Sequence, residues 1–212
     1  MQQLSNITEL IKSMSPLVSS GVLHTYYLIP ADPATGVLFI TPNSPHFISG
    51  QVRLRGRDGG RYPFNYLEML DTIFGKEKNT IEVCSGSVNG DCFTVDIHPD
   101  IRPDLVTDGQ ELYKIPNGRF CRWRCDPPYN VKTAEKMYGT RLPNTGKLLK
   151  AGARVCKVGS LMFLLLGPQN YQMCPPGVQR VGWIAMTIVP NNELRALHIF
   201  YKYADPNQID RQ

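Results

Sequence analysis

At 212 residues the chain is long enough for one domain with a substantial core, or for one domain and a small extension. It is 42% hydrophobic and 19% charged, an ordinary globular composition, and its net charge of +5 permits an anionic partner without requiring one. The longest apolar run, residues 161–166, is far shorter than the roughly 20 residues a membrane-spanning helix needs, so no membrane partner is expected. The N-terminus lacks the basic-then-apolar pattern of a secretory signal. Without that signal the six cysteines read as reduced thiols, and the expected location is the cytoplasm. Cys121 and Cys125 do not have the close-paired spacing of structural zinc, and cysteines in core strands behave as small apolar residues; no metal is expected.

Asn6 and Glu9 make a capping-box-like start. Ile7, Leu10, Ile11 and Met14 then recur with helical spacing, which predicts a short amphipathic helix to about Ser15, stopped by Pro16. Two β-rich runs, 21–29 and 36–41, read as a hairpin or a pair of edge strands. Residues 1–50 are thus an N-terminal helix and a β-rich extension. Arg53, Arg55, Arg57 and Arg61 follow, and arginines at every second position of an extended segment point to one side. They fit a phosphate-facing comb, and they equally fit a solvated basic edge that discourages strand addition. Pro63 suits the first position of a helix, whose apolar face is Phe64, Leu67, Leu70, Ile73 and Phe74, ending at Gly75.

A core alternation begins at residue 79. A strand over 79–84 carries Glu82 near its end and is followed by the small residues Ser85, Gly86 and Ser87. A second strand, 92–97, starts only a few residues later and ends near Asp96. Parallel crossovers usually take about a dozen residues, so this link is either a single turn or a connection that has lost its helix. A third strand, 104–109, ends at Asp108 and Gly109. A lone acid at a strand end is often a helix cap, but three in succession point to one binding edge. His98 reads as a surface loop residue.

The stretch from Phe120 to Asn130 is a strand running into Asp126-Pro127-Pro128-Tyr129. Prolines fix φ near −65° and donate no hydrogen bond, so this stiff loop offers only acceptors, beneath a flat aromatic face. Such a surface suits an exocyclic amino group on a planar ring. Arg122 and Arg124 are unusual inside a core strand; they either pair with Asp or Glu or reach the strand mouth to meet phosphate. A short helix over 132–138 stops at Gly139. Asn144 caps a longer one with Leu148, Leu149, Gly152, Val155 and Cys156 on its inner face and Gly159 at its end. A buried parallel strand over 161–166 and a hairpin of 182–189 with 194–201 complete the chain.

Asp126-Pro127-Pro128-Tyr129 resembles the catalytic loop of the amino-methylating S-adenosylmethionine (SAM)-dependent methyltransferases, whose Asp/Asn/Ser-Pro-Pro-Tyr motif acts on adenine N6 and cytosine N4. Gly59-Gly60-Arg61-Tyr62-Pro63 is similar to the turn that precedes the first core strand in adenine methyltransferases of the Dam type, with Arg61 in place of lysine. The resemblance covers about residues 52–203. It implies an α/β, Rossmann-like SAM-dependent methyltransferase sheet over 51–212, mostly parallel with a C-terminal antiparallel hairpin, whose last strand inserts antiparallel.

The resemblance also implies roles. Arg61 and Tyr62 would meet the methionine end of SAM. Glu82, Cys84, Ser85 and Gly86 would form the first SAM loop, Asp96 and Ile97 would hold the ribose, and Asp108 and Gly109 the adenine. Asp126 would border the cofactor and, with Pro127, Pro128 and Tyr129, form the catalytic loop. Arg53, Arg55, Arg57 and Asn130 would contact substrate. The gaps around these motifs are too short for a target-recognition domain. Substrate contact therefore falls to residues 1–50, the arginines, 137–144 and 169–179. The expected activity is methylation of an exocyclic base amine, adenine N6 in DNA ahead of RNA. The alternatives are an RNA base (guanine N2 or adenine N6) methyltransferase and a non-catalytic SAM-fold binding protein.

Overall fold

The computed structural model describes residues 25–29, 36–40, 48–56, 62–88, 90–168, 173–189 and 193–206. The helix expected near residues 7–15 lies outside them, as do Arg57 and Arg61. Strands β1 (Thr25–Ile29) and β2 (Gly36–Ile40) form an antiparallel pair, and β3 (Ile48–Arg55) lies antiparallel to β2. Next come helix α1 (Tyr66–Phe74) and strands β4 (Thr80–Val83), β5 (Cys92–Asp96), β6 (Leu105–Val106) and β7 (Phe120–Cys125). Helices α2 (Val131–Tyr138) and α3 (Thr145–Val155) precede β8 (Cys156–Leu166), β9 (Val178–Val189) and β10 (Glu193–Lys202).

The strands form one ten-stranded sheet in the order β1-β2-β3-β9-β10-β8-β7-β4-β5-β6. β4 pairs in parallel with β5 and β7, β5 with β6, and β7 with β8, so five strand ends open on one edge. β10 inserts antiparallel between β8 and β9, as expected of the last strand. The fold is therefore α/β and Rossmann-like, with a parallel core and a C-terminal antiparallel hairpin. β3 pairs in parallel with β9, so residue 50 falls inside a strand that the sheet continues through. β2 pairs with β3 only over Ile48–Gln51, so exposed Arg53 and Arg55 lie beyond that pairing, with β9 alongside them on the other side.

Alternation along β8 builds two cores. Leu161, Phe163 and Leu165 pack with Tyr66, Leu70 and Ile73 of α1, whereas Met162, Leu164 and Leu166 pack with Leu148 and Val155 of α3 and Trp123 of β7. Successive strand residues face opposite ways, so α1 and α3 cover opposite faces of the sheet. Gly152 lets α3 lie directly on the indole: a Cβ there would sit 2.6 Å from Trp123 Cε2.

Several expected boundaries are corrected. α1 begins at Tyr66, not Pro63, because Asn65 adopts a left-handed φ of 62° and turns Phe64 outward. β6 is only Leu105–Val106, because Asp104 instead accepts the Thr94 N–H and hydroxyl, both at 2.8 Å. Cys156 and Gly159 belong to β8, not to the preceding helix. β8 starts early, pairs Cys156 with Phe120 and shifts register before Leu161, with Gly159 at φ 93° in the irregular stretch. The link from β4 to β5 resolves to a turn, with no helix among its described residues. The Ser85 N–H donates to Val95 O at 3.1 Å and ties it down.

Candidate active site

The parallel strand ends surround one hollow, about 650 Å³ with its open mouth included. Cys84 and Gly86 line it after β4, and Asp96, Ile97 and His98 at the end of β5. Asp108, Gly109 and Gln110 follow β6, and Asp126 and Pro128 follow β7. Tyr138, Thr140, Arg141 and Pro143, between α2 and α3, close the remaining side; all four fall in the segment 137–144. Sites at the carboxyl edge of a parallel sheet are the rule for this architecture, because loops leaving adjacent strands diverge there.

Each acid is held by its own loop. The oxygens of Asp96 accept the backbone N–H groups of Gly86 and His98, each at 3.0 Å, so the carboxylate joins the β4 turn to the β5 turn. Cys84 enters that turn at φ 55°, a conformation that costs a non-glycine residue roughly 1–2 kcal/mol. Asp108 accepts the Gln110 N–H at 2.8 Å and its side-chain amide, and Gln110 Oε1 accepts the Asn144 N–H at 2.9 Å where α3 begins. Gly109 presses so closely on β4 that a Cβ would lie 2.3 Å from Val83 Cγ1. His98 lines the hollow rather than the outer surface, and its Nε2 is buried without a partner among the described residues.

Asp126 is tied to a residue far along the chain. Its Oδ1 accepts from Arg195 Nη2 at 2.5 Å, with the two side chains 16% and 10% exposed. The same guanidinium bonds the carbonyls of Leu165 and Leu166 at 3.4 Å and lies 4.2 Å from the Tyr129 ring centroid. The Tyr129 hydroxyl donates to Glu193. Burial lifts the Asp126 carboxyl above its ordinary range and Arg195 opposes the lift. Burial first, then Glu193, pushes the Tyr129 phenol up to about 12.

Known structures overlap part of this sheet. TrmN from Thermus thermophilus shares 10% identity over 64% of this chain and 47% of its own, with a TM-score of 0.43. A 16S rRNA (adenine(1408)-N(1))-methyltransferase from Catenulisporales acidiphilia shares 11% over 60% of this chain and 86% of its own, at 0.41. A 1,6-didemethyltoxoflavin-N1-methyltransferase from Burkholderia thailandensis shares 10% over 65% and 76%, at 0.42. The chain thus spans about half of TrmN's length, 47%. No family model matches the sequence, and no curated protein does. With overlaps this partial, the fold assignment rests on strand order and register.

Not every expected site residue reaches the hollow. Glu82 is fully buried in β4, where it accepts from the Tyr62 hydroxyl at 2.5 Å and pairs with Arg124 Nε at 2.6 Å. Burial pushes the Glu82 carboxyl up, while Arg124 and Tyr62 resist. Tyr62 is itself buried and stacks on Tyr66 at 4.5 Å. Ser85 and Pro127 are buried and line no part of the hollow. Asn130 caps α2, accepting the Thr133 N–H at 2.7 Å, which spends its carbonyl oxygen on the helix. The alternatives for Arg122 and Arg124 resolve to pairing. Arg122 lies 3.5 Å from Asp71 and donates to the carbonyls of Gly75 and Phe74.

Sequence reading missed Arg195 and Glu193, which sit where a hairpin loop and the start of a strand were expected. Their spacing of two was the available signal, since such residues share a strand face; nothing in the sequence pointed that face at Asp126.

Proposed function

We propose that the protein is a SAM-dependent methyltransferase acting on an exocyclic base amine of a nucleic acid, with adenine N6 in DNA the first substrate to offer. The observation that carries this reading is the convergence of Asp96, Asp108 and Asp126 on one hollow beside a Pro-Pro-Tyr loop.

The residues fit a nucleoside. The Asp96 carboxylate, fixed by two N–H groups, keeps lone pairs for ribose hydroxyls. His98 Nε2 is a buried polar atom with no partner among the described residues, and such an atom is costly until something bonds it. Gly86 adds no side chain to the wall. Asp108 and Gly109 stand one strand further along, for the base. When bound, SAM supplies an electrophilic methyl group on a sulfonium.

The chain's own work is at the amine. An exocyclic nitrogen conjugated into its ring is a weak nucleophile. Accepting an N–H at Asp126 draws it toward tetrahedral geometry and frees its lone pair; Pro127, buried away from the hollow, stiffens the loop instead. Oδ2 of Asp126 has no partner among the described residues and is the atom to hold the leaving proton. Alignment of nitrogen and methyl carries much of the barrier reduction. Tyr129 offers its ring to the base. Arg53 and Arg55, exposed on β3, would meet phosphate, and a base taken from a duplex must first be flipped out, at a few kcal/mol.

The test is transfer from tritiated SAM to DNA and to RNA, digested to nucleosides, alongside titration calorimetry with SAM. Label in N6-methyldeoxyadenosine is the expected result. Label only in ribonucleosides selects the RNA reading. SAM binding without transfer to either selects the non-catalytic one, and absence of SAM binding overturns the proposal.

A further inference from the structure

The start of β10 holds both functional side chains of the Asp-Pro-Pro-Tyr loop. Glu193 and Arg195, two apart on one strand face, take different members of it: Glu193 accepts the Tyr129 hydroxyl, and Arg195 takes Oδ1 of Asp126 and covers one face of the Tyr129 ring. To do so the guanidinium crosses the end of β8, where it finds the Leu165 and Leu166 carbonyls. A surface ion pair would not be built this way. Arg195 is anchored at four points: the Asp126 carboxylate oxygen, the Leu165 and Leu166 carbonyl oxygens, and the Tyr129 ring.

We infer that Arg195 is a positioning residue for methyl transfer: by holding Oδ1 it fixes Asp126 as an ionised acceptor and leaves Oδ2 for the target amine. This rests on the function proposed above. A carboxylate held at one oxygen cannot rotate away from an incoming N–H. One held by an arginine, whose charge is permanent, stays an acceptor in a setting where burial favours the protonated acid. That matters because a protonated carboxyl would offer a donor hydrogen to the amine at the oxygen meant to accept.

Other charged and titratable groups also face Asp126. Glu193 approaches from β10, Glu82 from β4 with Arg124 of β7 paired to it, Tyr62 and Tyr66 from the α1 side, and Tyr138 from α2. Among the described residues Arg195 is the cation in direct contact; Arg124 is engaged by Glu82.

The test follows the Asp126 carboxyl carbon by NMR through a pH titration of the full chain, in wild type, R195Q and R195K. The midpoint should rise in R195Q and return toward wild type in R195K. With SAM and unmethylated DNA as substrates, R195Q should lower kcat by about 100-fold, as misplacement of a reacting group does, and shift the acid limb of the pH profile upward. SAM affinity should stay within about three-fold, because the ribose and adenine residues are elsewhere in the hollow. An unmoved midpoint with an unmoved pH profile overturns the inference, as does loss of folding in both variants, which would make Arg195 structural. Absence of transfer by the wild type, with the NMR shift present, would count against methyl transfer and leave the hold on Asp126 standing.

Discussion

Asp126 has one oxygen engaged and one without a partner among the described residues, and that division governs what its substitution should do. Asp126→Ala removes the acceptor and should abolish methyl transfer, while SAM affinity measured by calorimetry stays within a few-fold. If the variant fails to fold, the aspartate is structural. Asp96→Ala acts differently, because Asp96 joins two loops through the Gly86 and His98 N–H groups. It should weaken SAM binding by about 10-fold or more, since hydrogen bonds to charged groups contribute roughly 1.5–3 kcal/mol each; unchanged affinity would mean the ribose lies elsewhere. The placement of both acids at strand ends on one hollow was legible in the sequence because it is local: an acid at a strand end, prolines that stiffen, an aromatic that follows. Arg195 was not legible. It lies 69 residues from Asp126 in sequence, and only the insertion of β10 beside β8 brings the two together.

At the scale of elements, β4 and β7 are joined by more than backbone. Glu82 and Arg124, partners in the strand register, form an ion pair with the carboxylate fully buried. Glu82→Gln leaves the guanidinium without its counter-charge, and breaking a buried pair from one side costs about 3–5 kcal/mol. The lowered denaturation midpoint should be plain in a urea titration, and an unchanged one would show the pair to be dispensable. Strand identities in this region followed from composition, yet the role of Glu82 did not. A glutamate one residue from a strand end reads as site-facing until the sheet shows which way its side chain points. The start of α1 was misread for a similar reason. Pro63 is a good first helical residue, but the left-handed turn at Asn65 delays the helix and is invisible to periodicity. β6 shrank because Asp104 found Thr94, a partner only parallel pairing supplies.

For the whole molecule, the sheet's α3-side face carries a pH liability at His198. Burial, with Arg180 adding to it, lowers this imidazole to about 4, and neither ring nitrogen has a hydrogen-bond partner among the described residues. The unfolded chain takes up a proton near 6.5, so between about 6.5 and 4 unfolding gains a proton that the folded state does not hold. Stability should therefore fall as pH falls through that window, by up to about 3 kcal/mol. His198→Phe should flatten the dependence in urea titrations run at neutral and mildly acidic pH; an equal slope in both proteins would rule His198 out as its source.

The short link from β4 to β5 has a consequence for ligand choice. Dinucleotide sites seat a pyrophosphate on the first amide groups of the helix that follows the leading strand, where the helix dipole favours negative charge. Here a turn stands in that place, and the walls beside it carry Asp96, Asp108 and Asp126. Arg141 is the counter-charge among these walls, but three acids stand against it, so polyanionic ligands such as NAD and ATP should bind poorly there. If the proposed function holds, a turn in place of that helix should favour adenosine attached to an uncharged or cationic group.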